Sequence, residues 1–291
     1  MRAFDVKSCP AIIATKGNGQ RDHWRLFDSA GELSDFAMER CTNAGDWKAR
    51  GEAWTGGDSS VAACRKAKSG DLAGVARSDA LLERFERFAF ETERKRWTDD
   101  VCGGFPNVPA FLSGHPLAMR RRIADKDGSA PLAVIVDLTT SAGISAETIE
   151  KRGAAILALV RLLTMRRPVE LWAGVMTAAA ARDGMCGVFC RLETAPLDLA
   201  TAAYVMTSAG FPRAACYPIA TVTSDWRGGW PYGDYKTSRN HMRDICAAAF
   251  LHTSETLCIP PVHMEDHITR DPEGWIEARL AELAPTQLEA A

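Results

Sequence analysis

Residues 132–141 read Leu-Ala-Val-Ile-Val-Asp-Leu-Thr-Thr-Ser. The apolar run is rich in β-branched residues and short enough for a buried strand. It delivers Asp137 to the strand's C-terminal end, with hydroxyls following at Thr139 and Ser141. In a parallel α/β sheet that end is where ligands usually bind. A carboxylate followed by alternate hydroxyls is a set of hard oxygen donors of the kind Mg²⁺ or Ca²⁺ takes. The same residues also suit a plainer arrangement, in which Asp137 caps the next turn and the hydroxyls bond to backbone.

Other chemistry-bearing residues are less well placed. His263 and His267 flank Glu265 and Asp266, but the spacing is not His-Glu-x-x-His, and the preceding Pro260-Pro261 argues for a polar loop. Cys186 and Cys190 fall within one expected strand and face the same side. Cys9, Cys41, Cys64 and His23 form no Cys-x-x-Cys pair that would mark a zinc site. Cys102 and His115 lack an orienting third residue for nucleophilic catalysis. Lys16-Gly-Asn-Gly19 lacks the Gly-Lys-Ser/Thr ending of a phosphate loop. Arg94 to Arg96 and Arg120 to Arg122 could form a basic patch, but scattered among acids they read as a solvated face. The loop Trp226-Arg-Gly-Gly-Trp-Pro-Tyr-Gly-Asp-Tyr235 is expensive to leave in solvent. Trp226, Trp230, Tyr232 and Tyr235, with Arg227, read as anchors of a protein-binding surface or as packing against the N-terminal tryptophans.

The elements that must position these residues fall into two parts. Residues 1–128 read as a helical and irregular N-terminal region wrapping the core. Glycines punctuate its first 60 residues, and Leu33 to Cys41 is their one expected helix, capped by Ser34. Ser60 to Ser69 and Ser78 to Trp97 follow as helices, the latter with Ser78 or Asp79 as cap. Residues 102–122 hold three prolines and three glycines, which exclude a long regular element. Residues 129–291 alternate strand and helix. Strands are expected at 132–136, 168–173, 185–192, 217–223 and 257–260. Helices are expected from Ser145 to Thr164, Leu197 to Ser208, within Lys236 to His252, and from Pro272 to Leu283 with Asp271 as cap. The pattern predicts an α/β fold with a mostly parallel sheet and helices on both faces.

The chain has 291 residues, 46% of them hydrophobic, and a formal charge of -2. Nothing global asks for nucleic acid or an anionic membrane as partner, although a local patch could still do so. No stretch reaches the ~18 uninterrupted apolar residues of a membrane span, and the first residues lack a secretory signal pattern. Nine scattered cysteines, an odd count, favour a reducing compartment over a disulfide scaffold.

From about 131 to 283 the chain resembles the von Willebrand factor type A family, whose first strand ends in Asp-x-Ser-x-Ser, a metal-ion-dependent adhesion site. Asp137, Thr139 and Ser141 match that motif, with Thr in place of the first Ser. The resemblance implies that Thr194, between a strand and a helix, and Asp225, in Thr221-Val-Thr-Ser-Asp-Trp-Arg, complete the set, with Trp226 where the family has Gly. It implies a divalent cation such as Mg²⁺, completed by a carboxylate of a protein partner, and binding rather than catalysis. The string Pro106-Asn-Val-Pro-Ala-Phe-Leu-Ser-Gly-His-Pro-Leu-Ala-Met-Arg-Arg121 resembles uncharacterised proteins of tailed bacteriophages. That second resemblance implies an assembly role in the host cytoplasm or the virion. The expectation is therefore a non-enzymatic protein-binding or assembly factor, with a self-assembling virion component or a hydrolase as alternatives. Neither a membrane nor nucleic acid is expected as partner.

Overall fold

The computed structural model describes residues 23–41, 52–91, 95–101, 105–124, 131–178, 185–223, 255–262 and 266–283. The first half runs β1 (His23–Phe27), α1 (Ala30–Arg40), α2 (Glu52–Thr55), α3 (Ser60–Ser69) and α4 (Val75–Glu91). Next come β2 (Lys95–Asp100), β3 (Phe105–Pro106), α5 (Val108–Leu112) and β4 (Met119–Ala124). The second half continues with β5 (Leu132–Asp137), α6 (Ala146–Arg166), β6 (Val169–Ala178), β7 (Met185–Leu192) and α7 (Leu199–Thr207). A π-helical stretch, Phe211–Cys216, runs directly into α8 (Tyr217–Thr223), and β8 (Glu255–Ile259), α9 (His267–Arg270) and α10 (Pro272–Glu282) follow.

Five strands form one sheet in the order β1-β7-β6-β5-β8. β5 pairs in parallel with both β6 and β8, β1 pairs in parallel with β7, and β6 and β7 are antiparallel. Every residue of β5 is buried, which is why its sequence is a continuous apolar run rather than an alternating one. Leu132, Val134 and Val136 join Leu171, Ala173, Val188 and Phe27 in the main core cluster. Ala133, Ile135, Trp172 and Phe189, at the alternate positions, are buried too. The architecture is a mixed, mostly parallel α/β sheet, buried on both faces and flanked by helices.

The central helix is α6, which packs against α4, α7, α9 and α10. Ser145 caps it as expected, its hydroxyl accepting from the backbone N–H of Thr148 at 3.1 Å. From Arg152 to Leu163 nearly every residue is buried. Gly153 lets α7 come close: a Cβ there would lie 2.0 Å from the carbonyl oxygen of Met206.

Several expectations are corrected. The segment before residue 30 is not wholly irregular: His23–Phe27 is an edge strand of the main sheet. α1 begins at Ala30 and is capped by Ser29, whereas Ser34 lies inside the helix and donates its hydroxyl to Ala30 O at 2.7 Å. Ser78 and Asp79 sit within α4, where both accept from Arg161. Residues 217–223, expected as a strand, are helical. A short apolar run with β-branched residues cannot be assigned by periodicity alone, and here it continues a buried helix. α1, α3 and α4 share one core cluster with the strands and α6. The helix expected within 236–252 lies outside the described residues.

A second, three-stranded antiparallel sheet, in the order β2-β4-β3, stands apart in composition and packing. Among the described residues it shares no extensive packing with the larger sheet.

Candidate functional site

Strands β5 and β8 end side by side, and their pairing continues beyond both ends. Val262 donates its N–H to Thr139 O and Ser141 donates to Val262 O, each at 3.1 Å, and Thr140 forms a parallel bridge with Val262. The chain order places this edge at a topological switch: from β5 the chain moves to β6 and β7 on one side, and β8 returns on the other. Such a crevice is the usual ligand position in open α/β sheets.

Asp137 is fully buried there. Its Oδ1 accepts from the N–H of Thr139 at 2.9 Å, the geometry of an Asx turn. The Thr139 hydroxyl donates to Met176 O at 2.9 Å and accepts from Met176 N–H at 2.8 Å, so it prolongs the β6 ladder by one side chain. Ser141 Oγ accepts from Gly143 N–H at 3.4 Å. The motif thus first builds the turn that leaves the strand. Thr140, between its two hydroxyl neighbours, carries a buried Oγ1 with no hydrogen-bond partner among the described residues, a costly arrangement unless something else supplies the partner.

Two arginines that sequence reasoning did not single out hold this edge. Arg213, on the π-helical stretch and only 6% exposed, donates to Ser141 O at 3.0 Å, Ile144 O at 2.7 Å and Trp54 O at 2.7 Å. Its guanidinium also lies 5.0 Å from the Trp54 ring centre, within cation–π range. Burial pulls its pKa down to about 10. Arg152, on α6, reaches Asp266 at 2.9 Å and donates to Pro260 O, tying the end of β8 to α6. Asp266 in turn caps α9, accepting from Thr269. The available signal was a single cation in each of two apolar runs, at 209–216 and 152–160. A charge there needs buried partners.

Of the remaining expected ligands, Thr194 is not brought to Asp137. Thr194 follows β7, which runs antiparallel to β6, so it stands at the other end of the sheet and donates to Val169 O at 2.5 Å. Val169 and Met176 are seven residue steps apart along β6, about 23 Å of extended chain. Asp225 lies outside the described residues, and the segment that was to deliver it from a strand is α8. The aromatic set Trp226, Arg227, Trp230, Tyr232 and Tyr235 also lies outside them. Among the described residues no group of three or more His, Cys, Asp or Glu is placed to hold a metal ion. The oxygens of Asp137, Thr139 and Ser141 therefore fit a hard cation only in part, and most of its coordination shell would have to come from water or a partner.

Elsewhere, His267 opens α9 rather than sitting in a loop, while His263 is outside the described residues. His115 accepts from Leu117 N–H at 3.2 Å in the small sheet unit, away from the β5 edge. Cys41 and Cys64 are buried, and their thiols are pushed up to about 11 and about 12 by desolvation, the opposite of an activated nucleophile. The family described as "Domain of unknown function (DUF7192)" matches residues 15–285. No curated protein and no solved structure matches the chain.

Proposed function

The chain belongs to the DUF7192 family of unknown function, and we propose that it is a protein-binding or assembly factor whose contact edge lies where β5 and β8 end. The observation that carries this reading is the construction of that edge. The turn after Asp137 is held by β6, β8 and Arg213, while Arg152 ties the end of β8 to α6. A rigid carboxylate-and-hydroxyl turn at a switch point is suited to recognition, whereas no nucleophile and base converge there among the described residues. The chain order β5, motif, α6, β6, β7, α7 supports a von Willebrand A-like version of the fold.

In that version Asp137 and Ser141 would hold a divalent cation, with Thr139 contributing its remaining lone pair. A carboxylate of the bound protein would complete the shell. The aromatic loop from Trp226 to Tyr235 would flank this contact. The resemblance to tailed-phage proteins favours an assembly partner, with self-association in the virion as the second form of the same role.

The test compares wild type with D137A and S141A. Thermal unfolding with Mg²⁺, Mn²⁺ or Ca²⁺ should raise the wild-type Tm and leave D137A unmoved. Cross-linking in expressing cells should yield a protein partner with wild type that both variants lose. Recovery of the same partner by all three proteins would move the contact away from this edge. A wild-type Tm indifferent to all three metals, alone and with the captured partner, would remove the cation.

A further inference from the structure

The three-stranded unit joins two basic runs that are far apart in sequence. In the antiparallel pairing of β2 and β4, Arg96 lies opposite Ile123, Thr98 opposite Arg121 and Asp99 opposite Arg120. Lys95, Arg96, Arg120, Arg121 and Arg122 thereby share one ribbon with only Asp99 and Asp100 as acids. Asp99 is already engaged by Arg120 at 3.4 Å and by Asn107 at 3.3 Å. In a chain of net charge -2 this is a basic island.

The tip of the ribbon is apolar and uncovered. Val101, Phe111 and Leu112 are 68%, 70% and 78% exposed, and α5 has no buried residue. The tip is nevertheless well formed. Asn107 caps α5, its N–H donates to Ala118 O at 2.8 Å, and His115 N–H donates to Ala110 O at 2.9 Å. The hydrogen bonds described for Asp99 and for 105–120 all close within the unit.

We propose that this unit docks on an anionic membrane surface, with Phe111, Leu112 and Val108 entering the interfacial layer and the ribbon's Lys and Arg residues meeting the lipid headgroups. An exposed apolar tip carried on a cation-rich ribbon is the arrangement that interfacial binding rewards twice, through apolar burial and through charge. A nucleic acid would use the ribbon but return nothing for exposing Leu112 and Val108. A second copy would need an apolar seat outside the unit, or a tip-to-tip contact that sets two basic ribbons together at a like-charge cost. Outside the unit, the large hydrophobics exposed among the described residues are Leu72 and Met165. The contact is peripheral, since no described helix is long and apolar enough to cross a membrane. It is independent of the β5 edge.

The experiment is co-sedimentation of the full chain with vesicles of phosphatidylcholine alone or mixed with phosphatidylglycerol. Wild type should bind the anionic vesicles, release as salt rises, and ignore the neutral ones. F111D/L112D and R121E/R122E should each lose at least about ten-fold in binding; the tip variant, changing exposed residues, should keep the wild-type Tm. Equal binding to both vesicle types, no binding by wild type, or wild-type binding by the tip variant would overturn the proposal. So would a dimer that F111D/L112D converts to monomer, or binding of a duplex oligonucleotide lost in R121E/R122E but kept in F111D/L112D. If R121E/R122E fails to fold, the salt and lipid dependence of wild type still decides.

Discussion

The five-stranded sheet and the three-stranded unit treat their apolar residues in opposite ways. In and around the large sheet Leu132, Ile135, Leu157 and Phe211 are sealed from water, and the few charges let in are bound on arrival. In the small unit Phe111 and Leu112 face solvent, and the cations lie on the same ribbon. Both units are closed by hydrogen bonds among their described residues. One spends its apolar surface on stability, and the other leaves it available for contact.

The sharpest way to break this comparison is to cut equal pieces from each. Leu157→Ala removes a fully buried side chain from the centre of α6 and should cost about 3–5 kcal/mol in urea unfolding. A loss below ~1 kcal/mol would mean that α6 does not organise the core. Arg213→Met comes next. It keeps much of the side-chain volume but strips the donor from Trp54 O, Ser141 O and Ile144 O, at a cost of about 2–3 kcal/mol. Hydrogen exchange should rise in the turn after β5 before it rises in α6. Uniform exchange would make Arg213 an ordinary core residue rather than a latch on that turn.

Alkaline pH weakens the core around the large sheet through two buried thiols. Unfolded, Cys41 and Cys64 lose their protons near pH 9, as ordinary thiols do; folded, they hold them to about 11 and about 12. Between about pH 9 and 11 the unfolded chain therefore binds fewer protons, and stability falls as pH rises. The contribution is fully present below pH 9 and amounts to on the order of 1 kcal/mol per thiol per pH unit above it. C41A/C64A should flatten the slope relative to wild type in urea titrations at about pH 8 and about pH 10.5; parallel slopes would contradict the assignment.

How far these features could be read from sequence follows from what each kind of signal encodes. β5, the Ser145 cap, α6, β7, β8 and the Asp271 cap were readable because local pattern and burial agree there. β1 was missed because five residues among glycines carry no periodicity; its strand identity comes from pairing with β7. Residues 217–223 misled because β-branched residues also fill a buried helix. The site divided in the same way. Asp137, Thr139 and Ser141 are neighbours in sequence and so are neighbours in space. Thr194 was placed by chain order, which does not encode that β7 runs back along β6 and carries it to the far end. Arg213 and Arg152 were hidden because their partners lie many residues away along the chain. The basic ribbon was hidden for the same reason: strand register, not composition, brings its two halves together.

The smallest expected effect is the most discriminating. Phe111→Ala deletes an aromatic ring, a change that costs about 3–5 kcal/mol in a packed core. Here the ring is 70% exposed and no residue of α5 is buried. Surface substitutions of this kind stay within about 0.5 kcal/mol, so the urea midpoint and the Tm should stay close to wild type. If Phe111→Ala instead destabilises the chain by more than ~2 kcal/mol, the tip is covered in solution and the small unit belongs to the core. The contrast with the large sheet would then collapse. If stability holds while vesicle binding drops, the apolar tip is there for a surface outside the molecule, and the division of labour between the two sheets stands on a measurement rather than on burial alone.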